Sequence, residues 1–149
     1  MVVLSRLPLD TAFVAMLRNN LGKDVYYGDS DDPHSGVPPE DATLPYAVVY
    51  SITGGAFYAP SLTGAQNDAE FLFQVTCVGG TSAQAAWLDD KVRDIILGRT
   101  ATGAFTTPLT PAGMTVNERE SQTGTSGTTR TGRLWNTTPR FSIYASVGG

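Results

Sequence analysis

The chain has 149 residues, 41% of them apolar and 16% charged, an ordinary globular composition that fits one domain spanning residues 1–149. No run of about 18 apolar residues occurs, so no helical membrane span is expected. The formal net charge of −4 argues against a general nucleic-acid binder, which needs a basic stripe to displace phosphate counterions.

The first residues, Met1-Val2-Val3-Leu4-Ser5-Arg6, make too short and too weakly apolar a stretch for a secretory signal, and the positive charge follows the apolar residues instead of preceding them. The single cysteine, Cys77, has no partner for an internal disulfide, in keeping with a reducing cytoplasm.

The first expected element is a helix starting near Asp10, whose carboxylate suits an N-cap. Phe13, Met16, Leu17 and Leu21 then fall on one face, and Gly22 suits a left-handed stop. Val25-Tyr26-Tyr27 reads as a short strand. Residues 28 to 45 read as loop, because Pro33, Pro38, Pro39 and Pro45 block both helix and sheet ladders. Tyr46 to Ile52 is apolar on both faces near its middle, as a central strand should be. Residues 54 to 68 read as a second long loop, carrying Phe57, Tyr58 and Leu62 among small polar residues.

Ala69 to Val78 alternates most clearly, with Phe71, Phe73, Val75 and Cys77 on one face. Gly79-Gly80 turns the chain into a helix capped by Thr81 or Ser82, with Gln84 placed to complete a capping box. Ala85, Leu88, Val92, Ile95 and Ile96 form its inner stripe, Asp89, Asp90, Lys91, Arg93 and Asp94 face water, and Gly98 ends it. Met114 to Gln122, Arg133 to Thr137 and Phe141 to Ser146 read as strands. The Gly/Ser/Thr run at 123–129 reads as a hairpin tip or a mobile arm. This order predicts an α+β fold: a single twisted, mainly antiparallel β-sheet with two α-helices packed on one face.

Catalytic chemistry finds little to work with. Nucleophilic catalysis usually needs a base beside the Ser or Cys, yet His34 is the lone histidine and Cys77 sits mid-strand among apolar residues. Asp29-Ser30-Asp31-Asp32-Pro33-His34 offers oxygen ligands but lacks the closing Glu of a calcium loop. One Cys and one His cannot make a zinc site, and the Gly-Gly steps lack the residues of a phosphate loop. No enzymatic activity, cofactor or metal is expected.

The charge is unevenly placed. Residues 29–41 carry five acids (Asp29, Asp31, Asp32, Glu40, Asp41) and no Lys or Arg, while residues 119–140 carry four arginines against Glu120 alone. One reading is a pair of surfaces that meet copies of the chain or charged neighbours; the other is two solvated loops.

Leu44-Pro45-Tyr46-Ala47-Val48-Val49-Tyr50, followed by Gly54-Gly55 and a long loop, resembles the tail terminator (tail completion) proteins of long-tailed bacteriophages, especially those of actinobacterial hosts. Phe71 to Thr81 running into Gln84 to Arg93 is the most family-like part, and Leu134 to Phe141 is similar to the closing strand. The resemblance covers about three quarters of the chain. It implies a virion protein, assembled in the host cytoplasm, that forms a homohexameric ring on the last tail-tube ring. Such a ring ends growth of the major tail-tube protein, docks the head–tail connector, and passes DNA through its lumen without specific binding. Asp29, Asp31, Asp32, Arg130, Arg133 and Trp135 are candidates for subunit contacts, and Phe57, Tyr58 and Leu62 for apolar anchors on axial neighbours. Two other readings stand beside it: a head–tail connector adaptor or tail-tube subunit, and a small soluble ligand-binding or enzymatic α+β domain.

Overall fold

Helix α1 covers Arg6–Leu21 in the computed structural model, which describes residues 6–27, 42–52, 57–58, 68–122 and 127–147. It starts one turn earlier than the Asp10 cap predicts. Pro8 is compatible with this start because first-turn amides have no intrahelical acceptor to lose. Asp10 is therefore not a cap but an inward-facing carboxylate, 7% exposed. Its Oδ2 accepts a hydrogen bond from the Tyr27 hydroxyl at 2.7 Å and its Oδ1 one from Ser51 Oγ at 3.0 Å. Leu9, Phe13, Met16, Leu17 and Leu21 are buried, as the helical spacing requires, and Gly22 ends the helix at φ 72.

The strands are β1 (Val25–Tyr27), β2 (Tyr46–Ile52), β3 (Phe57–Tyr58), β4 (Asp68–Gly79), β5 (Met114–Ser121), β6 (Thr129–Thr131), β7 (Leu134–Thr137) and β8 (Arg140–Val147). They form one open sheet, antiparallel except that β1 runs parallel to β2. The long β4 is its spine. β2 lies along one side of it, from Tyr46 opposite Val78 to Ile52 opposite Leu72, and β3 continues that side with Phe57 opposite Ala69. The other side holds β7 and β8 in a common register, Thr137 opposite Cys77 and Arg140 opposite Gln74. The pair amounts to one strand interrupted at Thr138-Pro139, where the Val75 amide still donates to the Pro139 carbonyl at 3.0 Å. β5 and β6 pair with β8 and β7 outside them.

Helix α2 (Ser82–Leu97) follows β4 directly. Thr81 Oγ1 accepts the Gln84 amide at 3.1 Å, and Gln84 Oε1 accepts the Gly80 amide at 2.7 Å, so the expected box closes one residue further out than its usual form. Thr81→Ala removes the first of these bonds and is expected to lower stability by about 1 kcal/mol, readable as a shift of the urea midpoint at unchanged slope.

Both helices pack on the same sheet face. Phe13 of α1 stacks on Phe73 with ring centroids 4.1 Å apart, and Leu88, Val92 and Ile96 of α2 join the same buried cluster as Val75, Cys77, Phe141 and Ile143. The fold class is α+β, two helices on a mostly antiparallel sheet. A smaller apolar cluster lies on the opposite face, where Tyr26, Tyr46, Val48 and Val78 are covered by Ala42, Leu44 and Leu134.

Two features go beyond the reading of the sequence. A bulge between Val116 and Glu118 shifts the face of β5, so that Arg119 points inward and is 5% exposed. The chain also reverses at Gly132, φ 61, between β6 and β7; of the Gly/Ser/Thr run at 123–129 only Gly127, Thr128 and Thr129 are described, and 123–126 lie outside the described residues.

Candidate functional site

The β6–β7 hairpin brings three of the proposed contact residues together. Register places Arg130 directly opposite Trp135, the guanidinium carbon lies 5.6 Å from the indole centroid, and Nε donates to the Gly132 carbonyl at 2.9 Å. Thr129 Oγ1 donates to Asn136 Oδ1 at 2.7 Å and ties the base of the hairpin. Arg133 is exposed at the turn, and Trp135 is half-buried. Just beyond β7, Arg140 is exposed and donates to Gln74 Oε1 at 3.1 Å.

No acid occurs between residues 127 and 140, and among the described residues neither Arg130 nor Arg133 has a carboxylate partner. Three arginines elsewhere in the chain do. Arg6 pairs with Asp10, Arg93 with Asp89 at 2.8 Å, and Arg99 with Glu118. An arginine pinned on an indole, beside a second exposed arginine, is a rigid basic and aromatic surface of the kind that anchors protein contacts.

The remaining candidates fare differently. Asp29, Asp31, Asp32 and Leu62 lie outside the described residues, as does His34. Phe57 and Tyr58 form β3, against the start of β4, and only their backbone is described. The loop expected at 54–68 is thus interrupted by a strand.

The helix-free face of the sheet is largely polar. Ser142 Oγ donates to Glu70 Oε1 at 2.7 Å and accepts from Gln122 Nε2, Gln74 Nε2 donates to Thr76 Oγ1 at 3.2 Å, and the Tyr144 hydroxyl donates to Glu120 Oε2 at 3.2 Å. Apart from the Gln74–Thr76 bond, which lies within β4, these bonds run between neighbouring strands and stiffen the sheet; they do not converge on a cavity.

Two residue groups escaped the sequence reading. Trp87 is 44% exposed on α2, with Lys23 Nζ and Lys91 Nζ at 5.9 and 5.7 Å from its ring. The helical spacing Trp87/Lys91 was available as a signal, but Lys23 comes from another element. Arg99 and Arg119 share the Phe105 ring, their guanidinium carbons 4.0 and 4.3 Å from its centroid. Arg119 Nη1 also donates to the Ile96 carbonyl at 3.2 Å, in the last turn of α2, where the helix dipole favours a cation. Burial, with the neighbouring Arg99 charge, pulls the Arg119 guanidinium below its ordinary value, and Glu118 opposes the shift. This is a strut between α2 and β5.

Cys77 is fully buried, and burial pushes its thiol up to about 12. The neutral thiol is therefore the favoured form in the fold. A thiol reagent at pH 8 is expected to leave the native protein unlabelled and to react once in denaturant; labelling of the native protein would contradict the burial. Because the folded value is raised above the unfolded one near 9, the protonated Cys77 contributes stability that is complete below about pH 9 and lost as pH rises towards 12.

Among the described residues no three His, Cys, Asp or Glu side chains gather as a metal site. A scan against protein-family models finds no match for the chain, and a search of the curated proteins finds none.

Proposed function

We propose that the chain is a structural subunit of a long-tailed phage virion, working in a ring at the head-proximal end of the tail tube. There it ends tube polymerisation and provides the docking surface for the head connector. The resemblance noted at Leu44–Tyr50, Phe71–Arg93 and Leu134–Phe141 suggests this role. The observation that carries it furthest is the β6–β7 hairpin, an outward basic and aromatic surface in a chain whose acids are concentrated elsewhere. A ring of identical subunits closes through two unlike, complementary patches on each copy, and this chain has the charge distribution for such a pair.

The outer edge of the sheet favours side-chain contacts over strand addition. β5 is bulged at Asn117 and bears the exposed Glu120, two features that discourage another strand from pairing there. A formal charge of −4 also suits a ring that lets DNA slide through its lumen without holding it.

The reading is tested by adding the purified protein to tail-tube subunits as they polymerise. A terminator caps tubes, so tubes stop lengthening and carry the protein at one end. Incorporation along the whole tube would instead make the chain a tube subunit, and binding only to the head connector would make it an adaptor.

A further inference from the structure

We infer that the outward face of α2 is the receptor for the β6–β7 hairpin of a second copy of this chain. The contact rests on the ring reading above and names what would close the ring. Helix α2 presents Trp87, Asp90 and Asp94 along one exposed ridge, at i, i+3 and i+7, beside the small exposed Ala83 and Ala86. Lys23 and Lys91 flank the indole, yet Trp87 keeps 44% of its surface exposed. Arg93 is taken up by Asp89 at 2.8 Å, and among the described residues neither Asp90 nor Asp94 has an ion-pair partner. Helix stability does not account for Asp94. It lies in the last turn of α2, where the helix dipole disfavours an anion, and that turn holds no basic residue of its own.

The hairpin is the chemical complement of this ridge. Arg130 and Arg133 are exposed and lack carboxylate partners among the described residues. Arg130 lies over Trp135, and its Nε donates to the Gly132 carbonyl, so cation and indole are set before binding. That lowers the ordering entropy lost on association. A planar guanidinium grips carboxylates in pairs and also lies flat on aromatic faces, so it fits both the Asp90/Asp94 pair and the neighbouring Trp87. Within one chain no ion pair joins the hairpin arginines to Asp90 or Asp94. Each copy therefore offers one basic and one acidic patch, the two unlike surfaces that a closed ring needs.

Charge reversal tests the contact. R130E/R133E and D90K/D94K alter exposed side chains only, and circular dichroism checks that each variant keeps its fold. Where a reversal unfolds the chain, the neutral R130Q/R133Q or D90N/D94N is read in its place and is expected to weaken association about 10-fold. Sedimentation velocity reads assembly, with and without tail tubes. Wild-type assembly is expected to weaken as salt rises from low to high. Each reversed variant alone is expected to associate about 100-fold more weakly than wild type. A one-to-one mixture of the two is expected to recover association, because the acidic hairpin of one then meets the basic helix of the other, and the unaltered patches also match. Variants that assemble like wild type would overturn this contact while leaving the ring reading standing. A mixture as weak as its components would overturn the pairing of these two surfaces. Rings that form normally from R130E/R133E but no longer cap tail tubes would overturn it in favour of a hairpin that docks on the tube. Loss in that variant of a wild-type affinity for single-stranded DNA would assign the hairpin to nucleic acid instead. A wild type that never self-associates, even with tail tubes added, would overturn both readings together.

Discussion

Phe73→Ala is expected to destabilise the folded chain by about 3–5 kcal/mol, the largest effect of any single substitution considered. Phe73 is fully buried at the centre of β4, and its ring stacks on Phe13 at 4.1 Å with the planes 12° apart. It also faces Phe141 across the sheet and lies 5.8 Å from the Arg6 guanidinium carbon. Truncation removes a large apolar surface and leaves a cavity against a helix and two strands that cannot all collapse into it. Small domains have only about 5–15 kcal/mol of stability in all, so a substantial part would go. Chemical denaturation reads the loss directly; a change below about 1 kcal/mol would mean that α1 does not pack on β4 as described.

Asp10→Ala is expected to destabilise by about 3 kcal/mol, because it removes one partner of a buried polar cluster and strands the others. Tyr27 and Ser51 each lose the oxygen they donate to, and Arg6 loses its carboxylate at 3.7 Å. Arg6 keeps its bonds to the Ile52 and Leu72 carbonyls, at 2.6 and 2.8 Å, so its charge remains tethered without its counterion. Asp10→Asn retains an acceptor oxygen and should fall between alanine and wild type. Equal stability of all three would show that the cluster contributes nothing. The cluster joins the first turn of α1 to β1 and β2, elements far apart in sequence, so its loss should also loosen the helix start in hydrogen exchange.

Much of the layered architecture was legible in the sequence, and the reasons are local. The strict alternation Phe71, Phe73, Val75, Cys77 is a two-residue period that only a strand with one buried face explains, and all four are buried. The stripe Ala85, Leu88, Val92, Ile95, Ile96 likewise coincides with the buried face of α2. What escaped was set by contacts distant in sequence. Asp10 has the chemistry of a cap, and only the arrival of Tyr27 and Ser51 makes it a buried acceptor. Arg119 lies in a polar run, Asn117-Glu118-Arg119-Glu120, and turns inward because of a bulge that composition does not announce. The reversal at Gly132 between β6 and β7 was not read from the sequence either. Pairing of β7 and β8 with β4 in one register fixes where the ribbon must bend, and that register is a tertiary property.

The candidate surface was legible to a similar depth. The excess of arginine over acid in 119–140 is visible in the sequence, but the stacking of Arg130 on Trp135 depends on their cross-strand register. The same segment also divides in the fold: Arg119 is a buried strut, while Arg130, Arg133 and Arg140 are exposed. Charge counting alone treats all four as equivalent. Only the exposed three can meet a partner.

The central claim, that the chain works as a ring subunit at the end of a tail tube, is tested most directly by its mass in solution. Light scattering at physiological salt, over a range of concentrations and with and without purified tail tubes, reads it. The account predicts a hexamer, or a monomer that becomes one when tubes are present. A strict monomer indifferent to tubes would contradict it.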